Sequence, residues 1–259
     1  PASCSRPELH QESLLPLPCN CSSAVLPPSS QRAVTQFNLQ APICVRRLIE
    51  ETSYFSGERI AFVASNNMPS KNDVSLTTIG NLYDVLKILF TQADTELRSK
   101  SSDLTRIRPS DEKLDDYFEL STSYFQNFQR YFEEIDEFFG SKNSTVVVKK
   151  YRTANGGSVI FRPIGLDIFA RVIARLSKDM PLRASIKRAS LLPRNLTSAP
   201  YKGLLWDQNT KTISNANVVT VREVLLYMLG ASKYSDSTLL ARYRKALGDT
   251  SASLPKKLI

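Results

Sequence analysis

Eight positions between Leu114 and Phe139 constrain this chain more than any other feature. Leu114, Phe118, Ser121, Phe125, Phe128, Phe132, Ile135 and Phe139 alternate spacings of four and three, and all but Ser121 are apolar. That period puts them on one side of an α-helix. A single helix over 111–139 is roughly 43 Å long at about 1.5 Å per residue, and Gly140 is a natural stop. The opposite face is acidic, with Asp111, Glu112, Asp115, Asp116, Glu119, Glu133, Glu134, Asp136 and Glu137. A dimerising coiled coil is one use of such a stripe, but its seam normally carries Leu and Ile. Large aromatics, widened by Tyr117, Tyr124 and Tyr131, point instead to a core helix within the chain's own fold.

Shorter signals surround it. From Pro42 the pattern is helical, with Ile43, Leu48 and Ile49 on one side and Arg46 and Arg47 beside them, placed to pair with the acidic helix. Residues 59–64 read as a short strand, 65–73 as a loop of turn formers, and Ser75 as the cap of a helix striped by Leu76, Ile79, Tyr83, Leu86 and Leu89. Residues 93–109 are a polar connection. Thr145–Arg152 and Ser158–Arg162 flank Asn155-Gly156-Gly157, a β-hairpin signal. Beyond Pro163, Ile164, Ile168, Val172 and Leu176 mark another helix, and a short one follows Pro181. Gly203–Asp207 and Lys211–Ser214 suggest a further strand pair. Helices over 221–229 and 237–247 close the chain, the second ending at Gly248. The expected class is α+β, mainly α-helical with one or two short β-hairpins. The expected organisation is a disordered or non-native leader at 1–30, a helical acidic subdomain at 31–141, and a basic α+β subdomain at 142–259 packed on it.

That last division follows charge. Residues 1–141 carry 13 Lys+Arg and 19 Asp+Glu, a net −6, whereas residues 142–259 carry 21 and 6, a net +15. Packing gains nothing from such an excess, so it suits an anionic partner, with DNA the leading candidate. The clusters are Lys149, Lys150 and Arg152 on the expected hairpin; Arg171, Arg175 and Lys178; Arg183, Lys187 and Arg188; and Arg242, Arg244 and Lys245. A lone basic run is usually a wet surface; four within about a hundred residues make an electrostatic footprint. The alternative is a scaffold, in which the acidic helix meets a second copy or a partner and the basic half docks an acidic protein.

Catalytic signals are absent. His10 is the only histidine, which argues against Ser–His and Cys–His hydrolysis. Cys4, His10, Cys19 and Cys21 are zinc-ligand types, but structural sites pair ligands as C-x₂₋₄-C and not C-x-C. All four cysteines, the fourth being Cys44, lie in the first 44 residues, which is no disulfide framework and suits a reducing cytoplasm. Asn155-Gly156-Gly157 lacks the helix that a P-loop opens into, so a plain turn is the simpler account. Trp206 has the flat face that stacks on a base, yet beside Leu204 and Leu205 it reads as core. No apolar run reaches the 18 or so residues of a membrane span. No catalytic residue, metal site or cofactor is therefore expected.

Several strings carry a resemblance. Arg46-Arg47-Leu48-Ile49-Glu50-Glu51 with Phe55 precedes Leu76-Thr77-Thr78-Ile79-Gly80-Asn81-Leu82-Tyr83-Asp84. Later come Phe161-Arg162-Pro163-Ile164-Gly165-Leu166 and Gly203-Leu204-Leu205-Trp206-Asp207. In this order, over about 32–247, the chain resembles the C-terminal part of DGQHR-domain proteins, a family that includes the B component of the Dnd DNA sulfur-modification (phosphorothioation) system. The Asp-Gly-Gln-His-Arg string itself does not occur, so activity attributed to the domain bearing it is not carried over. The resemblance implies a cytoplasmic protein of bacterial defence that acts around modified DNA, as a DNA-binding regulator. A fragment of an enzyme whose active site lies in a missing N-terminal half is the other expectation.

Overall fold

Ala41, Cys44, Val45 and Leu48 recur at helical spacing and are all buried, which defines the first helix, α1 (Gln40–Glu50). The computed structural model describes residues 40–100 and 109–259. The leader expected at 1–30, with three of the four cysteines and the lone histidine, lies outside the described residues. Ile60–Ala61 (β1) pairs in parallel with Thr77–Thr78 (β2). Thr78 ends β2 and caps the next helix, α2 (Ile79–Gln92), its side chain accepting from the Asn81 N–H. The cap is thus Thr78 and not Ser75, whose hydroxyl instead donates to the Glu58 carbonyl at 2.8 Å. At Gly80 an added Cβ would lie 2.0 Å from the Ala64 carbonyl oxygen, so this helix can start against the β1 segment only with glycine there.

Along the aromatic stripe Phe118 is half-buried and the other seven positions are buried, and from Phe125 to Phe139 its residues belong to the chain's own core. The single long helix expected over it is in fact two: α3 (Asp111–Tyr131) and α4 (Glu133–Gly140), separated by Phe132 in extended conformation. Neither Pro nor Gly causes the break. Phe132 stacks on Phe128 with centroids 4.2 Å apart and meets Phe169 edge-on at 5.7 Å. Gln129 Nε2 donates across the break to Asp136 Oδ1 at 2.9 Å. Glu133, Glu134 and Asp136 occupy the first turn of α4, where the helix dipole favours carboxylates. Arg47 joins α1 to α3 as expected: it bonds Asp115 at 2.7 Å and its guanidinium lies 4.0 Å from the Phe118 ring centroid. Arg46 turns instead to Glu50 of its own helix.

The hairpin expected at 145–162 does not form. Residues Ser144–Tyr151 are a helix, α5, capped by Asn143, and Val159–Phe161 a 3₁₀ turn. Val147 and Val148 are both buried while Val146 is 61% exposed. Consecutive residues of a strand face opposite sides, so a one-faced strand cannot bury both; a helix can. Gly156 and Gly157 do turn the chain, with φ of 118° and 85°, but between helical elements.

Next come α6 (Pro163–Leu176), which packs on α2, and α7 (Leu182–Ala189). Trp206–Asp207 (β3) and Thr212–Ile213 (β4) form the one antiparallel hairpin among the described residues. Trp206 is buried with Leu204 and Leu205, as a core residue. Helices α8 (Val218–Met228) and α9 (Asp236–Leu247) follow, the last capped by Ser235 and closed by Gly248 at φ 70°. The class is mainly α-helical with a few short strands. Buried residues from 41 to 243 belong to one apolar cluster. No helix among the described residues is long and apolar enough to cross a membrane.

Candidate anion-binding cleft

Helix α6 carries apolar residues on the side facing α2 and α8, and its edge reads Arg171, Ala174 and Arg175, an i, i+3, i+4 row that Lys178 extends just past the helix end. That row forms one wall of a cleft of about 410 Å³. The end of α2 with Arg98 beyond it, Arg222 and Glu223 of α8, and Lys233 complete the walls. Six cations from four segments thus share one concavity: Arg98, Arg171, Arg175, Lys178, Arg222 and Lys233. The Asp94 N–H donates to Ser177 Oγ at 2.8 Å, and that hydroxyl donates to the Ala174 carbonyl at 2.9 Å, tying the C-terminal ends of α2 and α6 together.

Some of this charge is already answered. Arg171 makes a two-point contact with Asp167, at 2.9 and 3.1 Å, Arg175 meets Asp179 at 2.8 Å, and Arg98 lies 3.9 Å from Asp94. Arg222 and Glu223 are 3.8 Å apart. Among the described residues, Lys178 and Lys233 have no carboxylate within ion-pair distance. Arg175 also sits in the last turn of α6, where a cation answers the helix dipole. With these four carboxylates counted, the cleft keeps a net +2. Like charges gathered in a concave, partly desolvated wall repel, and an anion relieves that repulsion.

Of the twelve residues in the four expected basic clusters, the cleft collects three, Arg171, Arg175 and Lys178. The others are spread over the structure, several in structural contacts. Lys149 pairs with Asp73 at 2.9 Å, and this bond holds the Asp73 carboxyl below its ordinary range. Lys150 bonds Glu137 at 2.7 Å, as does the Tyr151 hydroxyl. Arg152 is half-buried and donates to the carbonyls of Phe161, Asn72, Ser75 and Leu76. Arg183 donates to the Tyr131 hydroxyl at 3.1 Å and draws that phenol's pKa down. Arg188 donates to the Leu229 carbonyl and Arg244 to that of Ala252. Arg242 lies 4.3 Å from the Tyr234 ring centroid, next to Lys233 of the cleft. Lys187 and Lys245 are exposed.

Sequence reasoning missed Arg98, Arg222, Lys233 and Glu223. No linear signal joins them, because they sit on separate elements brought together only by the packing of α2, α6 and α8. Among the described residues no His/Cys/Asp/Glu group is arranged to hold a metal ion; the zinc-type residues Cys4, His10, Cys19 and Cys21 lie outside them. Cys44 is buried, and burial pushes its thiol up to about 12, so it is no nucleophile. Comparison with protein-family models, with curated proteins and with solved structures finds no match for this chain.

Proposed function

We propose that this chain is a non-enzymatic, DNA-associated module whose basic cleft contacts the phosphate backbone. The observation that carries the reading is the convergence of six cations from four segments of the chain on one cleft. Lys and Arg bind phosphate by charge and, for Arg, by forked hydrogen bonds. The strings resembling DGQHR-domain proteins support a setting in DNA modification and bacterial defence, and a cytoplasmic location goes with it. Lys233 and Arg242 flank Tyr234, which extends the basic surface from the cleft toward α9.

The test is anisotropy of a labelled DNA titrated at several salt concentrations with the wild type and with a Arg175→Glu/Lys178→Glu/Lys233→Glu variant. Each phosphate contact contributes about −0.9 to the log–log salt slope, so the variant is expected to flatten the slope by about 3 and to lose at least about tenfold in affinity. Among the described residues the side chains of these three donate to no backbone carbonyl, unlike Arg188 and Arg244, whose reversal would test folding instead. Unchanged affinity in the triple variant would sink the assignment and leave an acidic protein or a second copy as the partner of the basic half.

A further inference from the structure

Backbone phosphate does not account for every group in the cleft. Glu223 is only 4% exposed, and its Oε2 is buried with no hydrogen-bond partner among the described residues. Its other oxygen is 3.8 Å from Arg222 Nη2, too far for a hydrogen bond. Beside it lie Ala174 and Leu226, both buried apolar residues that also line the cleft. The lining therefore joins a carboxylate and an apolar patch to a ring of cations.

A carboxylate only accepts. The backbone of duplex DNA presents phosphate and sugar oxygens, which also only accept, so Glu223 repels it and gains no donor from it. An unpaired nucleotide differs in both respects. Its base has N–H donors free on the pairing edge and a flat apolar face that packs against side chains. A cleft of about 410 Å³ is within the range of sites that enclose small organic ligands.

Resting on the phosphate-binding reading above, we infer that the cleft takes an unpaired nucleotide of a single strand. Its phosphate sits among Arg175, Lys178 and Lys233, its base face lies on Ala174 and Leu226, and a base N–H donates to Glu223. Glu223 is then the residue that sets single strand against duplex, by attracting the one and repelling the other.

The experiment measures anisotropy of a labelled single strand of about twelve bases, within the usual site size of single-strand binders, and of the matching duplex. Wild type, Glu223→Gln and the Arg175→Glu/Lys178→Glu/Lys233→Glu variant are compared, each checked for fold by circular dichroism. The wild type is expected to favour the single strand by about tenfold, the worth of one charge-assisted hydrogen bond. Glu223→Gln, which keeps the size and removes the charge, is expected to bring the ratio close to one, while the triple variant weakens both ligands. Equal wild-type affinities, or a preference that survives Glu223→Gln, overturn the inference while the triple variant's loss keeps the phosphate reading. Unchanged binding of both ligands in the triple variant overturns the phosphate reading itself. Should Glu223→Gln fail to fold, an abasic single strand, which has no base N–H to donate, takes its place with the wild type: it is expected to lose the preference over duplex, and a preference that it keeps overturns the inference.

Discussion

Arg152 shows how far a side chain's role departs from its type. Basic, and next to Lys149 and Lys150, it belongs by sequence to a phosphate-binding run. In the structure its guanidinium bonds four backbone carbonyls, three from the 72–76 segment and one from the 3₁₀ turn. Burial, and then the neighbouring Arg162, draw its pKa down to about 10, still well above neutrality. The planar fork is what lets one residue serve several acceptors, and a lysine cannot reproduce it. Arg152→Ala is expected to cost at least about 3 kcal/mol through carbonyls left unsatisfied. Arg152→Lys should recover only part of that loss. Urea unfolding followed by circular dichroism checks both, and anion binding by the folded fraction should not change. Glu134 is a similar case. It reads as one more acid of a wet face, yet it is buried and accepts from Arg194 at 2.6 Å and from Ser158 at 3.2 Å.

Helices mark where local pattern stopped being sufficient. The triple valine of 146–148 has strand propensity, and the two glycines after it look like a hairpin turn. What decides is which valines the core takes. A hairpin puts Val146 and Val148 on one face and predicts similar costs for truncating them. The helix leaves Val146 61% exposed and Val148 1% exposed. Val148→Ala should therefore cost about 2 kcal/mol and Val146→Ala no more than about 0.5 kcal/mol, by denaturant unfolding. The break at Phe132 has the same origin, since an aromatic side chain held between Phe128 and Phe169 overrides an unbroken 3–4 period. Helix ends also revise the meaning of charge. Lys149 and Lys150, Arg175, Lys187 and Arg188, and Arg244 and Lys245 all fall in the last turns of their helices. There a cation answers the helix dipole, so part of the basic excess stabilises the elements themselves.

Across the molecule, burial also governs the response to pH. Burial pushes the Cys44 thiol up to about 12 and raises the phenols of Tyr124 and Tyr201 well above their ordinary range. In the unfolded chain such groups ionise near about 8.5 and 10. Below those values both states keep the proton and these groups add no pH dependence. Above them the unfolded chain has lost protons that the native state retains, so stability falls as pH rises. Arg152, with its lowered pKa, acts in the opposite sense, but only above about 10. The urea midpoint should therefore drop between about pH 8 and pH 10. A flat midpoint over that range would show that these groups are solvated. Read from sequence alone, the chain yields its class, nearly every helix, the aromatic stripe as core, the 206–213 hairpin and the Arg171–Arg175–Lys178 row. All of these rest on periods and caps that lie within one stretch of chain. The cleft does not, because its cations stand on α6, on α8 and on the segments after α2, α6 and α8, far apart along the chain. Only the packing of α2, α6 and α8, with Ser177 pinning Asp94, makes them one site and sets Glu223 among them.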